Sequence, residues 1–264
     1  MNGTQSEEIL WRHLRDLPYF RAMVRAVEDK FYQGLELPGP VFDLGCGDGH
    51  FASVAFDHPL DVGLDPWWAP LREAGTRHAY RMLVCSDGAK VPFADGYFAS
   101  AVSNSVLEHI PHLDEVLVEL ARVLRKDGRF VFCVPNHRFP QLLLGTQTFQ
   151  KLGMSGAADW YSRFFNRISR HQHCDSLEVW QARLARTGFA IDQHWDYFSA
   201  DALHQMEVGH AIGLPNLISK KLTNRWVLFR SRAQLWLPYR LARRVFNNPI
   251  SEDGVYSFYI ARRT

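Results

Sequence analysis

Apolar residues near the start of the chain recur at intervals of three or four positions, which is the spacing of a helix that buries one face. The positions that share this pattern are Leu10, Leu14, Leu17, Met23, Val24, Val27 and Phe31. Pro18 lies between the two runs, and proline cannot continue a helix because it lacks an amide hydrogen. We therefore expect two helices within residues 1–35, separated at Pro18.

Short apolar runs then alternate with helical patterns. Strands are predicted at residues 41–44, 61–64, 81–85, 98–102, 129–134, 189–198 and 255–261. Helices are predicted at residues 48–56, 67–76, 113–124 and 176–187, with Asp127-Gly128 ending the third and Gly188 ending the fourth. Such alternation is typical of parallel strands joined by right-handed crossovers. The expected fold class is α/β, a Rossmann-like, seven-stranded, mostly parallel sheet with helices on both faces.

Two stretches interrupt this alternation. Residues 136–175 are predicted to form a loop rich in aromatic, Arg and His side chains, and residues 199–253 are too long for a hairpin. We expect the second stretch to be mostly helical, and both to form a substrate cap. The predicted organisation is therefore N-terminal helices over residues 1–35, followed by one domain over residues 36–264 that carries both insertions.

The composition is that of a globular protein, with 47% hydrophobic and 22% charged residues. A formal net charge of +2 argues against an electrostatic nucleic-acid binder. The four cysteines form no CxxC pair, which favours a reduced environment. No apolar signal core is visible at the N-terminus, and no uncharged apolar run approaches the roughly 18 residues of a membrane span. We expect a cytoplasmic protein, with attachment to a membrane surface as an alternative.

A glycine-rich turn follows the first predicted strand, with the sequence Asp43-Leu44-Gly45-Cys46-Gly47-Asp48-Gly49. Glycine lets the backbone turn tightly and approach a ligand closely, because it has no Cβ. The free N–H groups at the start of the following helix favour a carboxylate or a phosphate. A nicotinamide-cofactor loop, G-x-G-x-x-G, would need glycine at position 50, where this chain has His50.

This spacing resembles the class I S-adenosylmethionine-dependent methyltransferases, and most of all their small-molecule branch with a DxGCGxG loop. The stretch from Phe98 to Ile110 is similar to the family pattern FDxVxSxxVLEHI, although Ala99 stands where the family often has Asp. Val91-Pro92-Phe93 matches a family turn, and Lys126-Asp127 replaces a Pro-Gly pair in another.

The resemblance implies S-adenosylmethionine as the cofactor. It implies that Asp65 accepts hydrogen bonds from the ribose hydroxyls, that Asp87 accepts one from the adenine amino group, and that backbone near Asn104 holds the methionine amino group. The residues so implied are Asp43, Gly45, Cys46, Gly47, Gly49, Asp65, Pro66, Asp87, Gly88, Asn104, Ser105 and His109.

Methyl transfer is an in-line displacement that needs a base only when the acceptor must lose a proton. The candidate catalytic residues are His109, His171 and His173. An alternative for His109 is that it only caps its helix or orders its loop. The run from His171 to Cys174 fits no standard zinc spacing, so we expect no metal. Asp175 or Ser176 is the expected N-cap of the next helix.

The residues after the fourth strand narrow the choice of acceptor. Ser103-Asn104-Ser105-Val106 differs from the N/D-P-P-Y motif of amide and adenine N-methyltransferases, and the Pro-Cys motif of cytosine C5 enzymes is absent. A small-molecule or lipid-like acceptor remains, with O-methylation preferred over C-methylation. The alternatives are a binding module without catalysis and a nicotinamide-dependent oxidoreductase.

Residues 208–251 contain no Asp or Glu but eight Lys and Arg, interleaved with Trp, Leu and Phe residues that include Phe229. The favoured interpretation is a cap helix with its arginines in water. A second is peripheral membrane contact through residues 216–246. A third is that the arginines bind an anionic acceptor. The aromatic stretch 136–175 is the other expected substrate wall.

Overall fold

A computed structural model of the chain describes residues 3–212, 214–223, 225–228 and 230–264. The chain divides into two compact units. Unit 1 comprises Met1–Gly34, Arg138–Phe165 and Asp196–Val255, and unit 2 comprises Leu35–His137, Asn166–Trp195 and Tyr256–Thr264. The N-terminal helices and most of both insertions therefore belong to the same unit.

Unit 2 is built on a seven-stranded sheet, as the alternation of apolar runs predicted. The strands are β1 Val41–Leu44, β2 Leu60–Asp65, β3 Tyr80–Cys85, β4 Phe98–Asn104, β5 Leu124–Pro135, β6 Phe189–Tyr197 and β7 Tyr256–Arg263. Their order is β3-β2-β1-β4-β5-β7-β6. The pairs among β1 to β5 are parallel, whereas β7 is antiparallel to β5. The carboxyl ends of β1, β2, β3 and β4 consequently lie at one edge, where open α/β sheets bind their ligands.

Four helices of unit 2 connect or flank these strands: α3 His50–Ala55, α4 Trp68–Ala74, α5 Leu113–Val123 and α8 Leu177–Thr187. Helix α5 buries Leu113, Val116, Leu117 and Leu120, the positions whose spacing predicted it. Gly188 ends α8 in the left-handed conformation, with φ of +94°. Ser176 is the N-cap residue of α8, but in the described structure its side chain makes no capping hydrogen bond.

The core of unit 2 is aromatic where the strands meet α8. Phe42 stacks on Phe98 with 4.7 Å between the ring centroids, and Phe132 stacks on Tyr259 at the same separation. Trp180 of α8 lies 5.0 Å from Phe132. These side chains are almost fully buried, and each contributes roughly 1.5–3 kcal/mol or more by leaving water.

Two local expectations were wrong. Helix α5 ends at Val123, and Asp127-Gly128 lies inside β5 rather than at the end of the helix. Leu124 already pairs with Phe98, and the next pair is Arg129 with Ser100. The residues between Leu124 and Arg129 therefore form an irregularity within the strand. The aromatic stretch is also not a loop. It contains α6 Leu144–Lys151 and α7 Ser155–Ser169, where aromatic residues four positions apart stack.

Unit 1 is helical. Its helices are α1 Gly3–Asp16, α2 Tyr19–Tyr32, α9 Ala200–Ile212, α10 Leu214–Thr223 and α11 Trp236–Asn247, together with α6 and most of α7. The break at Pro18 and the helical second insertion are confirmed. His13 of α1 contacts Asp29 of α2 at 3.0 Å, and both side chains are fully buried. Among the described helices, none is long and apolar enough to cross a membrane.

Candidate active site

The glycine-rich loop after β1 is fixed to the end of β2 by its backbone. The N–H groups of Gly45 and Cys46 donate to the carbonyl of Leu64 at 2.8 and 2.9 Å. Gly45 has φ of +81°, and a Cβ there would collide with the side chain of Val106. Gly49 has φ of +70°, and a Cβ there would lie 3.1 Å from that of Ala74. Only glycine satisfies both the backbone conformation and the close packing at these positions.

The middle glycine of the loop, Gly47, faces open space. Its φ is +54°, and no heavy atom of the described residues lies within 4 Å of the place where a Cβ would stand. The N–H group of Gly47 donates to Asp65 Oδ2 at 3.0 Å, and that of Trp67 donates to Asp65 Oδ1 at 2.9 Å. Two backbone bonds thus orient this carboxylate, and each oxygen keeps a lone pair for a further donor.

Two acidic residues of this edge, Asp43 and Asp65, are buried. Burial raises the pKa of Asp65, while the backbone N–H groups of Trp67 and Gly47 oppose that shift. Burial also raises the pKa of Asp43 to about 7, against the lowering effect of its hydrogen bond with Tyr80. The Tyr80 hydroxyl donates to Asp43 Oδ2 at 2.6 Å. Burial raises the pKa of the Cys46 thiol, so this side chain stays neutral beside both carboxylates.

Asp87, after β3, is half-exposed and held by two donors. Its Oδ1 accepts from the N–H of Ala89 and contacts His112 Nε2, each at 2.9 Å. These bonds lower the pKa of Asp87, the backbone N–H being the larger cause. The adjacent Gly88 permits close packing, because a Cβ there would lie 3.0 Å from Leu44 and Val116. Pro66, at the neighbouring strand end, is exposed.

The end of β4 carries a strained residue. Ser105 has φ of +51°, a left-handed conformation that is uncommon for residues with a side chain. Its N–H donates to the carbonyl of Cys133 at 3.1 Å, and the Cys133 thiol donates to Asn104 Oδ1 at 3.2 Å. Strained backbone of this kind is concentrated at functional sites.

Two of the three predicted histidines lie together. The rings of His109 and His171 stack with 5.6 Å between their centroids, and Glu108 Oε1 lies 3.7 Å from His109 Nε2. His109 Nδ1 donates to the carbonyl of Arg170 at 3.0 Å. His173 points elsewhere: its Nε2 donates to the carbonyl of Ile110 at 3.0 Å.

Three contacts of this edge were not predicted. Tyr80 supports Asp43, His112 supports Asp87, and the buried Glu108 lies beside the two stacked histidines. A local signal existed only for Glu108, which directly precedes His109 in the LEHI stretch.

Comparison with known proteins concerns the fold and the domain. Residues 42–132 match the family model described as a methyltransferase domain. The comparisons support a class I S-adenosylmethionine-dependent methyltransferase. A solved S-adenosylmethionine-dependent methyltransferase from Thermotoga maritima shares the fold, with a TM-score of 0.56 and 15% identity over 93% of this chain and 90% of that one. The open cradle at Gly47 and the oriented Asp65 carboxylate fit the cofactor of this family.

Two curated relatives are named malonyl-[acyl-carrier protein] O-methyltransferase. The protein from Legionella pneumophila is 27% identical over 63% of this chain and 59% of its own length. The protein from Geobacter sulfurreducens is 29% identical over 67% of this chain and 64% of its own length. The matched part of this chain therefore spans less than two thirds of the length of either relative.

Proposed function

We propose that this protein transfers a methyl group from S-adenosylmethionine to an oxygen atom of a small-molecule or lipid-like acceptor. The observation that carries the proposal is the open space at Gly47 beside the buried Asp65 carboxylate. What distinguishes Gly47 from a turn glycine with similar open space, such as Gly34, is that its N–H group donates to the buried, oriented Asp65 carboxylate. When bound, the cofactor supplies an electrophilic methyl group on a positively charged sulfur.

Each residue at the strand ends has a role in this proposal. Asp65 accepts from the ribose hydroxyls with the lone pairs left by its two backbone donors. Asp87, which His112 orients, accepts from the adenine amino group. The N–H groups of Gly45, Cys46 and Gly47 are bonded to the end of β2, so the glycine loop contributes open space beside Gly47 for the methionine part of the cofactor. Asp43, which accepts from Tyr80, holds the strand end from which the loop begins. The complete proposed set is Asp43, Gly45, Cys46, Gly47, Gly49, Asp65, Pro66, Asp87, Gly88, Asn104, Ser105 and His109.

His109 and His171 are the proposed acceptor-side residues. Because a carbonyl can only accept, the bond to Arg170 requires the proton of a neutral His109 to be on Nδ1. Its Nε2 then carries the lone pair that can accept a proton from an acceptor hydroxyl. His173 is proposed to position the loop that carries His171, through its contact with Ile110.

An acceptor with a carboxylate or another anionic group fits the observations best. Both relatives carry O-methyltransferase names, and the motif typical of N-methylation is absent after β4. A carboxylate is deprotonated near neutral pH, so its methylation requires no base.

We also infer that residues 216–246 meet an anionic lipid surface. The large apolar side chains exposed along this stretch are Leu217, Ile218, Leu222, Leu228, Trp236, Leu237 and Leu241. Exposed basic residues accompany them, among them Lys221, Arg225, Arg240 and Arg244. Arg230, Arg232 and Arg243 are also exposed, but they form ion pairs with acidic residues of α1. An apolar surface with basic neighbours and no acidic residue over 208–251 has the chemistry of an interfacial segment. Phe229, which belonged to the predicted pattern, lies outside the described residues.

Transfer of a labelled methyl group tests the reaction. Wild-type protein would be incubated with methyl-labelled S-adenosylmethionine and a panel that includes malonyl-acyl carrier protein, fatty acids and hydroxylated lipids. We expect label on an oxygen atom of an acidic acceptor, identified by mass spectrometry and by release of labelled methanol in mild base if an ester has formed. Label on nitrogen or carbon would contradict O-methylation, and cofactor binding without any transfer would support a non-catalytic module.

A further inference from the structure

Three metal-ligating side chains converge at the β4 edge of unit 2. Glu108 and His109 follow β4, and His171 precedes α8. One ligand atom from each of the three lies within 4.8 Å of the others. One ion with Zn–N and Zn–O bonds of roughly 2.0–2.2 Å could bridge donor atoms up to about 4 Å apart, so only a small side-chain adjustment is needed.

The hydrogen bonds of His109 already have the form found around metal-bound histidines. Its Nδ1 donates to a backbone carbonyl, that of Arg170, which places the lone pair on Nε2. This nitrogen lies 3.7 Å from Glu108 Oε1. Metal-ligating histidines almost always donate their second ring N–H to a carbonyl or a carboxylate, because this bond fixes the tautomer and the ring orientation.

The backbone holds the two contributing segments together. The N–H groups of Gln172 and His173 donate to the carbonyl of Glu108 at 2.7 and 3.2 Å. Arg170, whose carbonyl orients His109, has φ of +59°, a strained conformation for a residue with a side chain. Cys174 Sγ lies 3.7 Å from His171 Nδ1 and limits the rotation of that ring. The cluster is therefore preorganised by backbone bonds as well as by its side chains.

We propose that Glu108, His109 and His171 bind one divalent transition-metal ion of the Zn²⁺ class and leave a coordination position open. Two imidazoles and one carboxylate form the ligand set of many open zinc sites, whereas Mg²⁺ prefers oxygen ligands alone. No metal was expected from the sequence, because the spacing within residues 171–174 fits no standard zinc site. The proposed ligands instead come from two segments that are distant in the sequence.

The open position gives the metal a role in the proposed function. An acceptor carboxylate or hydroxyl bound there would be held at the β4 edge, and a hydroxyl would lose its proton more easily. With the metal bound, His109 Nε2 would be a ligand and would no longer act as the base. This role rests on the proposed methyl transfer. Binding of the metal itself does not depend on methyl transfer, because all three ligands are side chains of this chain.

Metal titration tests the proposal on tag-free protein that has been treated with a chelator and dialysed. We expect calorimetry with ZnCl₂ to give one equivalent of tight binding, and Co²⁺ to produce visible absorption bands of a low-symmetry site. His171→Ala and Glu108→Gln should each weaken Zn²⁺ binding by more than the roughly 10- to 100-fold that follows loss of an outer-shell partner. His58→Ala is the matched control, since His58 is an exposed histidine of unit 2 outside the cluster.

Absence of stoichiometric Zn²⁺ and Co²⁺ binding by the wild type would overturn the proposal, as would equal losses in His171→Ala and His58→Ala. Circular dichroism establishes that each variant is folded. If Glu108→Gln unfolds because its new amide group is buried, His171→Ala still tests the site, since it introduces no polar group. S-adenosylhomocysteine binding is measured on the same samples. Binding of the metal without binding of S-adenosylhomocysteine would refute only the proposed function. Binding of S-adenosylhomocysteine without binding of the metal would refute only the metal site.

Discussion

Gly47→Ala separates the backbone role of the glycine loop from its role in cofactor binding. Gly47 has φ of +54°, and a Cβ there would meet no heavy atom of the described residues within 4 Å. The substitution should therefore cost only the strain of a left-handed alanine, about 1–2 kcal/mol of unfolding free energy. Urea denaturation of the ligand-free protein measures this loss of unfolding free energy.

The same methyl group should also weaken cofactor binding. It would occupy the space that we assign to the cofactor, and overpacking of a close contact costs roughly 1–3 kcal/mol. That range corresponds to an increase in Kd of about 5- to 150-fold. Calorimetric titration with S-adenosylhomocysteine measures it.

Gly34→Ala is the matched control for this experiment. Gly34 lies in unit 1, has φ of +80°, and likewise has no described heavy atom within 4 Å of the place where a Cβ would stand. It should lose similar stability and keep wild-type affinity. If Gly47→Ala binds S-adenosylhomocysteine as tightly as Gly34→Ala does, the space beside Gly47 is not where the cofactor lies.

Three further predictions concern the ion pairs, the buried acid and the exposed helix surface. Arg183 is largely buried and donates to Asp114 at 3.1 Å, so Arg183→Met should cost about 1–3 kcal/mol of unfolding free energy. Arg186 pairs with the same carboxylate but is exposed, so Arg186→Met should cost less than about 1 kcal/mol. Equal losses of the two variants in urea denaturation would contradict this. Burial raises the pKa of Asp43 from 3.8 to about 7, so the folded protein holds a proton that the unfolded chain releases. Wild-type stability should therefore fall as pH rises through this interval, Asp43→Asn should fall less, and parallel pH profiles would refute the buried acid. Wild-type protein should float with anionic liposomes and Leu237→Glu should float less, because Leu237 is exposed on α11; no flotation of the wild type would remove the membrane interpretation.

Local patterns were sufficient wherever a single element determined the structure. The split at Pro18, the burial of one face of α5 and the left-handed Gly188 all follow from spacing or from the chemistry of one residue. A tight turn at the glycine loop was likewise expected from the loop sequence, and Gly45 and Gly49 adopt positive φ values there.

Contacts between distant segments could not be predicted in this way. Tyr80 reaches Asp43 across 37 positions of the sequence, and His112 reaches Asp87 across 25, so neither pairing leaves a periodic signal. The Asp127-Gly128 pair was misplaced for a related reason. Its local turn chemistry favours a helix end, but pairing of Leu124 with Phe98 in the sheet determines where β5 begins.

The most direct test of the central claim is calorimetric titration of the wild type and Asp65→Ala with S-adenosylhomocysteine, with NAD(P) as the control ligand. We expect micromolar binding of S-adenosylhomocysteine alone by the wild type, and its loss in a folded Asp65→Ala protein, because the charge-assisted bonds to the ribose are removed. Binding of NAD(P) instead, or unchanged affinity in Asp65→Ala, would contradict the account.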